Sequence, residues 1–115
     1  MFLTKEQILN SDDLKKELVE FPEWGGEAFV RTLTGTERDL FESKIVGKNG
    51  GVNMENLRAR LVSLTLVNEE GDRIFTDDDV KELGRKSSSA LSRAFNAAQK
   101  LNKITDDDVE ELVKN

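Results

Sequence analysis

The sequence predicts an α+β chain that is predominantly α-helical. An N-terminal β-hairpin over about residues 16–33 should be followed by a bundle of about four or five short helices over about 34–113. Three observations predict this. A "PEWGG" turn stands between two apolar-rich runs. Helix-capping patterns recur along the chain. Apolar residues fall at helical spacing in the second half.

The first element is a short helix over Thr4–Leu9, in "LTKEQIL". Thr4 is its N-cap and Gln7 the capping-box partner, with Leu3 and Ile8 placed as a hydrophobic staple. Ser11 offers a second cap-like start in "SDDLKKEL", but the pattern then changes. "KELVEFPEWGGEAFVRTL" (Lys16–Leu33) reads as two strands around a turn. Leu18, Val19 and Phe21 precede the turn, and Ala28, Phe29, Val30 and Leu33 follow it. Pro22 fixes φ and stops helix, while Gly25 and Gly26 supply the turn. The loop is longer than two residues, which leaves room for a bulge.

Thr34 or Thr36 caps the next helix, "GTERDLFESKIV", with Leu40, Phe41 and Ile45 facing inward. "GKNGG" (Gly47–Gly51) reads as a linker. It is not read as a phosphate cradle, because no strand leads into it. Asn53 can cap the following helix, whose stripe is Leu57, Leu61, Val62 and Leu64. After a polar turn at Gly71, a helix begins at Asp77 and is ended or kinked by Gly84. Ser87, Ser88 and Ser89 offer caps for the next helix. Its stripe of Leu91, Ala94, Phe95, Ala98 and Leu101 is the best in the chain, and the alanines allow a neighbour to approach closely. A last helix begins after Thr105.

The acidic runs invite a metal reading. "VNEEGDRIFTDDDV" (Val67–Val80) can be tested against an EF-hand loop. With Gly71 at the sixth position, the first falls on Leu66, the eighth on Arg73 and the twelfth on Asp77. The first ligand is missing, and a guanidinium replaces the apolar anchor. Shifting the frame to correct Ile74 loses the glycine. Capped helix starts explain more residues. Thr76 is an N-cap, the aspartates suit the positive end of the helix dipole, and Phe75 and Val80 are spaced as a staple. "FTDDDVKEL" (Phe75–Leu83) is echoed by "ITDDDVEEL" (Ile104–Leu112), a second start of the same kind.

The bulk properties bound the function. A chain of 115 residues is expected to form one domain over 1–115 with a real core. A 37% hydrophobic and 35% charged composition makes that core thin and built from helix stripes. The net charge of −6 opposes binding to phosphate backbones, and no basic tract offsets it. No long apolar run suggests a membrane span, and no signal-peptide pattern is present, so a soluble cytoplasmic protein is expected. The chain has no cysteine, histidine or tyrosine. That removes thiolate and imidazole chemistry, the commonest general base, and disulfides. No dinucleotide fingerprint, Walker A loop or nucleophile elbow is present. The chain is therefore read as non-enzymatic, with no cofactor, no metal and no nucleic-acid or membrane partner.

Trp24, the sole tryptophan, sits at a predicted turn. Its ring either covers the hairpin end or anchors a partner, as interface tryptophans do. The residues expected to meet a protein partner are Trp24 and Phe29 on the hairpin, and Leu91, Phe95 and Ala98 on the amphipathic helix.

The order of the segments carries a resemblance. "FPEWGGEAFVRTLTGTERDLFE" is followed by "NLRARLVSLTLVNEEGDRIFTDDDVKELGRKSSSALSRAFNAAQKLNKIT" and then "DDVEELVKN". This series resembles the tail assembly chaperones of long-tailed phages, in the form found in siphophages and defective prophages of Gram-positive bacteria. The resemblance covers roughly residues 18 to 115, and it lies in the order and spacing of the motifs together.

It implies a non-catalytic role. Such proteins coat the tape-measure protein, keep it soluble, help recruit tail-tube subunits, and are absent from the finished virion. The implied partners are the tape-measure protein, the tail-tube protein and a frameshifted longer form of the chain itself. This chain would correspond to the short form or to the N-terminal domain of the long one. A second reading, a small head–tail connector or adaptor that binds another protein, would place the chain in purified virions instead.

Overall fold

The computed structural model describes residues 1–46 and 55–104. Its sheet has three antiparallel strands in the order β1-β2-β3: β1 (Lys16–Phe21), β2 (Gly26–Arg31) and β3 (Leu66–Val67). Five α-helices accompany it among the described residues: α1 (Lys5–Leu9), α2 (Gly35–Ile45), α3 (Leu57–Thr65), α4 (Val80–Leu83) and α5 (Ser88–Asn102). The fold is α+β and mostly helical, with the hairpin where the sequence predicts it. The expected "GKNGG" linker, the Asn53 cap and the helix after Thr105 lie outside the described residues.

The hairpin follows from its turn. Pro22 occupies the first position of a 3₁₀ turn, Pro22–Trp24, where its missing N–H costs nothing. Gly25 then takes φ +72°, the left-handed conformation that returns the chain to β2. Pairing is continuous from Phe21↔Gly26 to Lys16↔Arg31, so the space for a bulge is not used. Beyond the strands, the Thr32 N–H donates to the Lys15 carbonyl at 2.8 Å. The Thr32 hydroxyl accepts from the Lys15 N–H at 2.9 Å.

The third strand was not expected. Leu66 and Val67 pair with Val30 and Phe29 directly after α3 ends. Two residues are too few to show a strand period in sequence. Alternation along the strands defines two faces. Val19, Phe21, Ala28, Val30 and Leu66 face the helices and join the hydrophobic cluster. Leu18, Phe29 and Val67 take the opposite, outer face.

Capping residues start most of the helices. Thr34, rather than Thr36, caps α2 through a capping box with Glu37. Thr4 and Gln7 form the same device on α1. The box at Thr76 and Asp79 opens a 3₁₀ turn, Asp77–Asp79, that leads into α4. The Asp79 carboxylate accepts from the Thr76 N–H at 2.8 Å and from its hydroxyl at 3.2 Å. Ser87 caps α5, and Gly84 closes α4. α3 is the exception: Asn56 precedes it at φ +58° and makes no side-chain cap. Ser11 starts no helix. Its hydroxyl donates to the Ile8 carbonyl at 2.7 Å and closes α1 instead. The staple expected on α1 is not buried either, since Leu3 and Ile8 are both exposed.

The core is organised around α3. From Leu61 to Thr65 every residue is buried, so the expected one-sided stripe is a helix enclosed on all sides. Such a helix must satisfy its polar side chains locally. The Ser63 hydroxyl donates to the Arg60 carbonyl and the Thr65 hydroxyl to the Leu61 carbonyl, each at 2.8 Å. Ala59 on α3 and Ala94 and Ala98 on α5 are almost fully buried. Their small side chains let the two helices pack closely. Phe41 and Ile45 of α2 complete the cluster.

Polar clamps join the layers. Arg31 on β2 grips Glu37 on α2 with two bonds of 2.9 and 2.8 Å, and also reaches the Leu64 carbonyl at 3.4 Å. Burial alone would raise the Glu37 carboxyl. The Arg31 guanidinium and the Thr34 N–H outweigh it and hold the carboxyl below its ordinary value. At the end of α5, the Asn102 side chain accepts from the Leu33 N–H at 2.7 Å. It donates to the Ala98 carbonyl at 2.9 Å and the Arg31 carbonyl at 3.4 Å. Arg73 holds the loop before α4 by donating to the Ser63 carbonyl at 3.0 Å.

Two outcomes are expected. Leu61→Ala should lower stability by about 2–5 kcal/mol in urea denaturation, because α3 is enclosed and cannot collapse into the space left. Glu37→Gln should lower stability by about 1–3 kcal/mol near neutral pH. The native carboxyl is depressed, so its contribution is complete above the ordinary glutamate value of about 4.3. It is lost as pH falls through the lower native value. The gap between Glu37→Gln and the parent chain should therefore close in acid, read from urea midpoints at both pH values.

Candidate functional site: an apolar hollow at the hairpin turn

A hollow of about 610 Å³ opens where the hairpin turn meets the segment leading into α4. That volume is within the range of ordinary ligand-sized clefts. Phe21, Trp24, Ala28, Ile74, Phe75 and Leu83 supply its apolar walls. The rim carries Glu27, Asp79 and Glu82 against Lys86, so acidic groups outnumber basic ones.

Each wall has a local cause. Phe21 ends β1 on the inner face and is buried. The 3₁₀ turn that Pro22 begins carries Trp24 round to stack on Phe21, with ring centroids 4.9 Å apart and planes at 29°. Trp24 nevertheless keeps 37% of its surface exposed. Its ring therefore covers the hairpin end and also presents a face to solvent. Glu23 in the same turn pairs with Arg93 of α5, tying the turn to the helix layer. A bond to backbone N–H and then the Arg93 contact hold the Glu23 carboxyl below its ordinary value.

The opposite wall follows from the polar turn before it. Gly71 takes φ +88°. The Asn68 side chain accepts from the N–H groups of Glu70 and Asp72, each at 3.0 Å. This acidic loop closes on itself, and Ile74 and Phe75 emerge from it. Phe75 packs against the core, while Ile74 is 46% exposed. Among the described residues, no group of three or more acidic side chains is arranged to hold a metal ion.

The expected partner-binding residues separate. Trp24 lines the hollow. Phe29 is half-buried on the outer sheet face, with the Lys16 ammonium 4.5 Å above its ring. Phe95 is half-buried against the core. Leu91 and Ala98 lie in the core cluster. These two expected partner residues are thus buried within their own chain, where α5 packs against α3 and the sheet. Sequence reasoning missed Ile74, Phe75 and Leu83 as walls. The available signal was an isolated Ile74 in a polar loop, which periodicity does not register.

No family model and no curated protein sequence matches the chain. Among solved structures it is similar to the tail assembly chaperone of bacteriophage HK97, with a TM-score of 0.62. The match covers 84% of this chain and 94% of that one at 16% identity. The chain therefore has the fold of a phage tail assembly chaperone. Among the described residues, no helix is long and apolar enough to cross a membrane.

Trp24→Ala should remove the stack on Phe21 and lower stability by about 0.5–1.5 kcal/mol. Far-UV circular dichroism should stay unchanged, because the ring covers the core rather than filling it. Urea denaturation followed by circular dichroism reads both quantities.

Proposed function

We propose that this chain is a non-catalytic phage tail assembly chaperone. It binds the tape-measure protein in the host cytoplasm, keeps it soluble, and helps recruit tail-tube subunits. It then leaves, so that it is absent from the finished virion. The observation that carries the reading is the fold shared with the HK97 tail assembly chaperone over most of both chains. Residues 1–115 act as one domain in this reading.

The hollow at the hairpin turn is the client site we favour. An apolar floor with Trp24 at its edge suits the apolar stripe of a client helix. A rim with excess carboxylate favours lysine or arginine beside that stripe. A single shallow hollow gives weak contacts, and repetition along a long client supplies avidity while leaving each contact reversible. A high surface charge keeps such a binder soluble alone.

Co-expression with the long coiled-coil-rich tail protein tests the reading. The partner should be soluble only with this chain and should co-purify with several copies of it. Trp24→Ala combined with Ile74→Asp should reduce that yield by about tenfold or more. A partner indifferent to the chain, together with the chain's presence in purified virions, would favour a head–tail connector instead.

A further inference from the structure

The two walls of the hollow are held in place unequally. On one side, Phe75 and Leu83 belong to the hydrophobic cluster or pack against it. The loop before them is tied at several points. Arg73 donates to the Ser63 carbonyl at 3.0 Å, pairs with Asp77 at 3.1 Å, and bridges to Val67 through its backbone. The Ile74 N–H donates to the Leu66 carbonyl at 3.1 Å, and the Thr76–Asp79 box closes the next turn. A wall with that many ties depends on no single one.

The wall that carries Trp24 has fewer. Phe21 is buried in the cluster, and the chain leaves the core immediately after it. Pro22–Trp24 is one 3₁₀ turn, closed by the Gly25 N–H on the Pro22 carbonyl at 3.2 Å. That bond lies within the turn and fixes it to no other element. Trp24 stacks on Phe21, a neighbour in the same hairpin, and stands outside the cluster. Among the described residues, the one polar side-chain contact from this turn to the helix layer is the ion pair of Glu23 with Arg93, 70 residues away in the chain. Arg93 has a fixed base, because Ala90 and Ala94 on either side of it in α5 are fully buried. Neither Glu23 nor Arg93 lines the hollow.

This pair contributes little to folding, since its side chains are 41% and 24% exposed. What it fixes is direction. In a turn this tight, holding the Glu23 side chain sets the rotation of the whole turn, and so where the adjacent indole points. We propose that Arg93 is a positioning residue of the hollow: through Glu23 it holds the hairpin turn at the angle that keeps the Trp24 ring at the hollow's edge. The role of the hollow itself rests on the client site proposed above. The placement of Trp24 can be read without a client, because Trp24 is the sole tryptophan. Without the pair, the turn is free to move about its two ends. A client must then order that wall as it binds, and the cost appears as weaker binding.

Five full-length chains test the proposal: the parent, Arg93→Ala, Arg93→Lys, Glu23→Gln and the double variant Glu23→Gln/Arg93→Ala. Far-UV circular dichroism and urea midpoints should stay close to the parent in all of them, since the pair lies outside the core. Acrylamide should quench Trp24 emission more strongly in Arg93→Ala and in Glu23→Gln. In co-expression with the coiled-coil-rich tail protein, each should hold about threefold to fivefold less partner. The double variant should do no more than either single change, because the two residues act through one contact. Arg93→Lys keeps a cation within reach of Glu23 and should recover most of both readouts. Unchanged quenching in Arg93→Ala would overturn the proposal. So would additive effects in the double variant, or an Arg93→Ala chain that holds its partner as well as a binding parent does. A parent that never holds the partner would sink the client reading alone, and the quenching series would still decide whether Arg93 places Trp24.

Discussion

The burial of the second half of α3, Leu61 to Thr65, is the constraint on which the rest of the structure depends. A helix enclosed from Leu61 to Thr65 needs neighbours on every side. α2, α4 and α5 pack against it, and Arg31 of β2 reaches its Leu64 carbonyl. β3 exists because the chain leaving α3 is already beside β2 and can pair with it at once. The two buried hydroxyls of α3 are tolerable because each bonds to its own helix, and among the described residues no buried side-chain polar atom lacks a partner. The alanines of α5 decide how near that helix can come.

Around this helix the polar clamps act as fasteners between layers. Arg31, Asn102 and Arg73 each bind backbone carbonyls of a different segment, which fixes position more than it adds stability. Arg31 and Glu37 form the most enclosed of these contacts, with side chains only 12% and 17% exposed. There a bidentate pair is held in a drier setting than a surface ion pair and is less screened by salt. Glu23 and Arg93 fasten the turn that carries Trp24 from outside the core. The hollow is thus a by-product of two anchored segments, the hairpin turn and the loop before α4, that meet without filling the gap between them.

Exposed apolar surface is divided between the hollow at the hairpin turn, the outer sheet face at Leu18 and the α1 segment. Each parcel is bordered by charged side chains, as expected of interaction surfaces that stay soluble alone. A fold can be shared at 16% identity because a packed core can be preserved by volume and pattern while individual residues change.

Local rules made the hairpin, the caps at Thr4, Thr34, Thr76 and Ser87, the polar turn at Gly71 and the α5 stripe legible from the sequence alone. Each depends on residues within a few positions of one another: a proline and two glycines, a threonine with its partner three residues on, an apolar period. The same rules argue against an EF-hand at Gly71. They could not show that α3 is enclosed rather than half-exposed, since periodicity reports one face and not how many neighbours arrive. β3, the Asn102 clamp and the hollow walls at Ile74, Phe75 and Leu83 were also decided only by tertiary structure. Each joins segments far apart in the chain, and no local preference encodes that meeting. For the same reason Leu91 and Ala98, apolar on a well-formed stripe and expected to meet a partner, belong to the core.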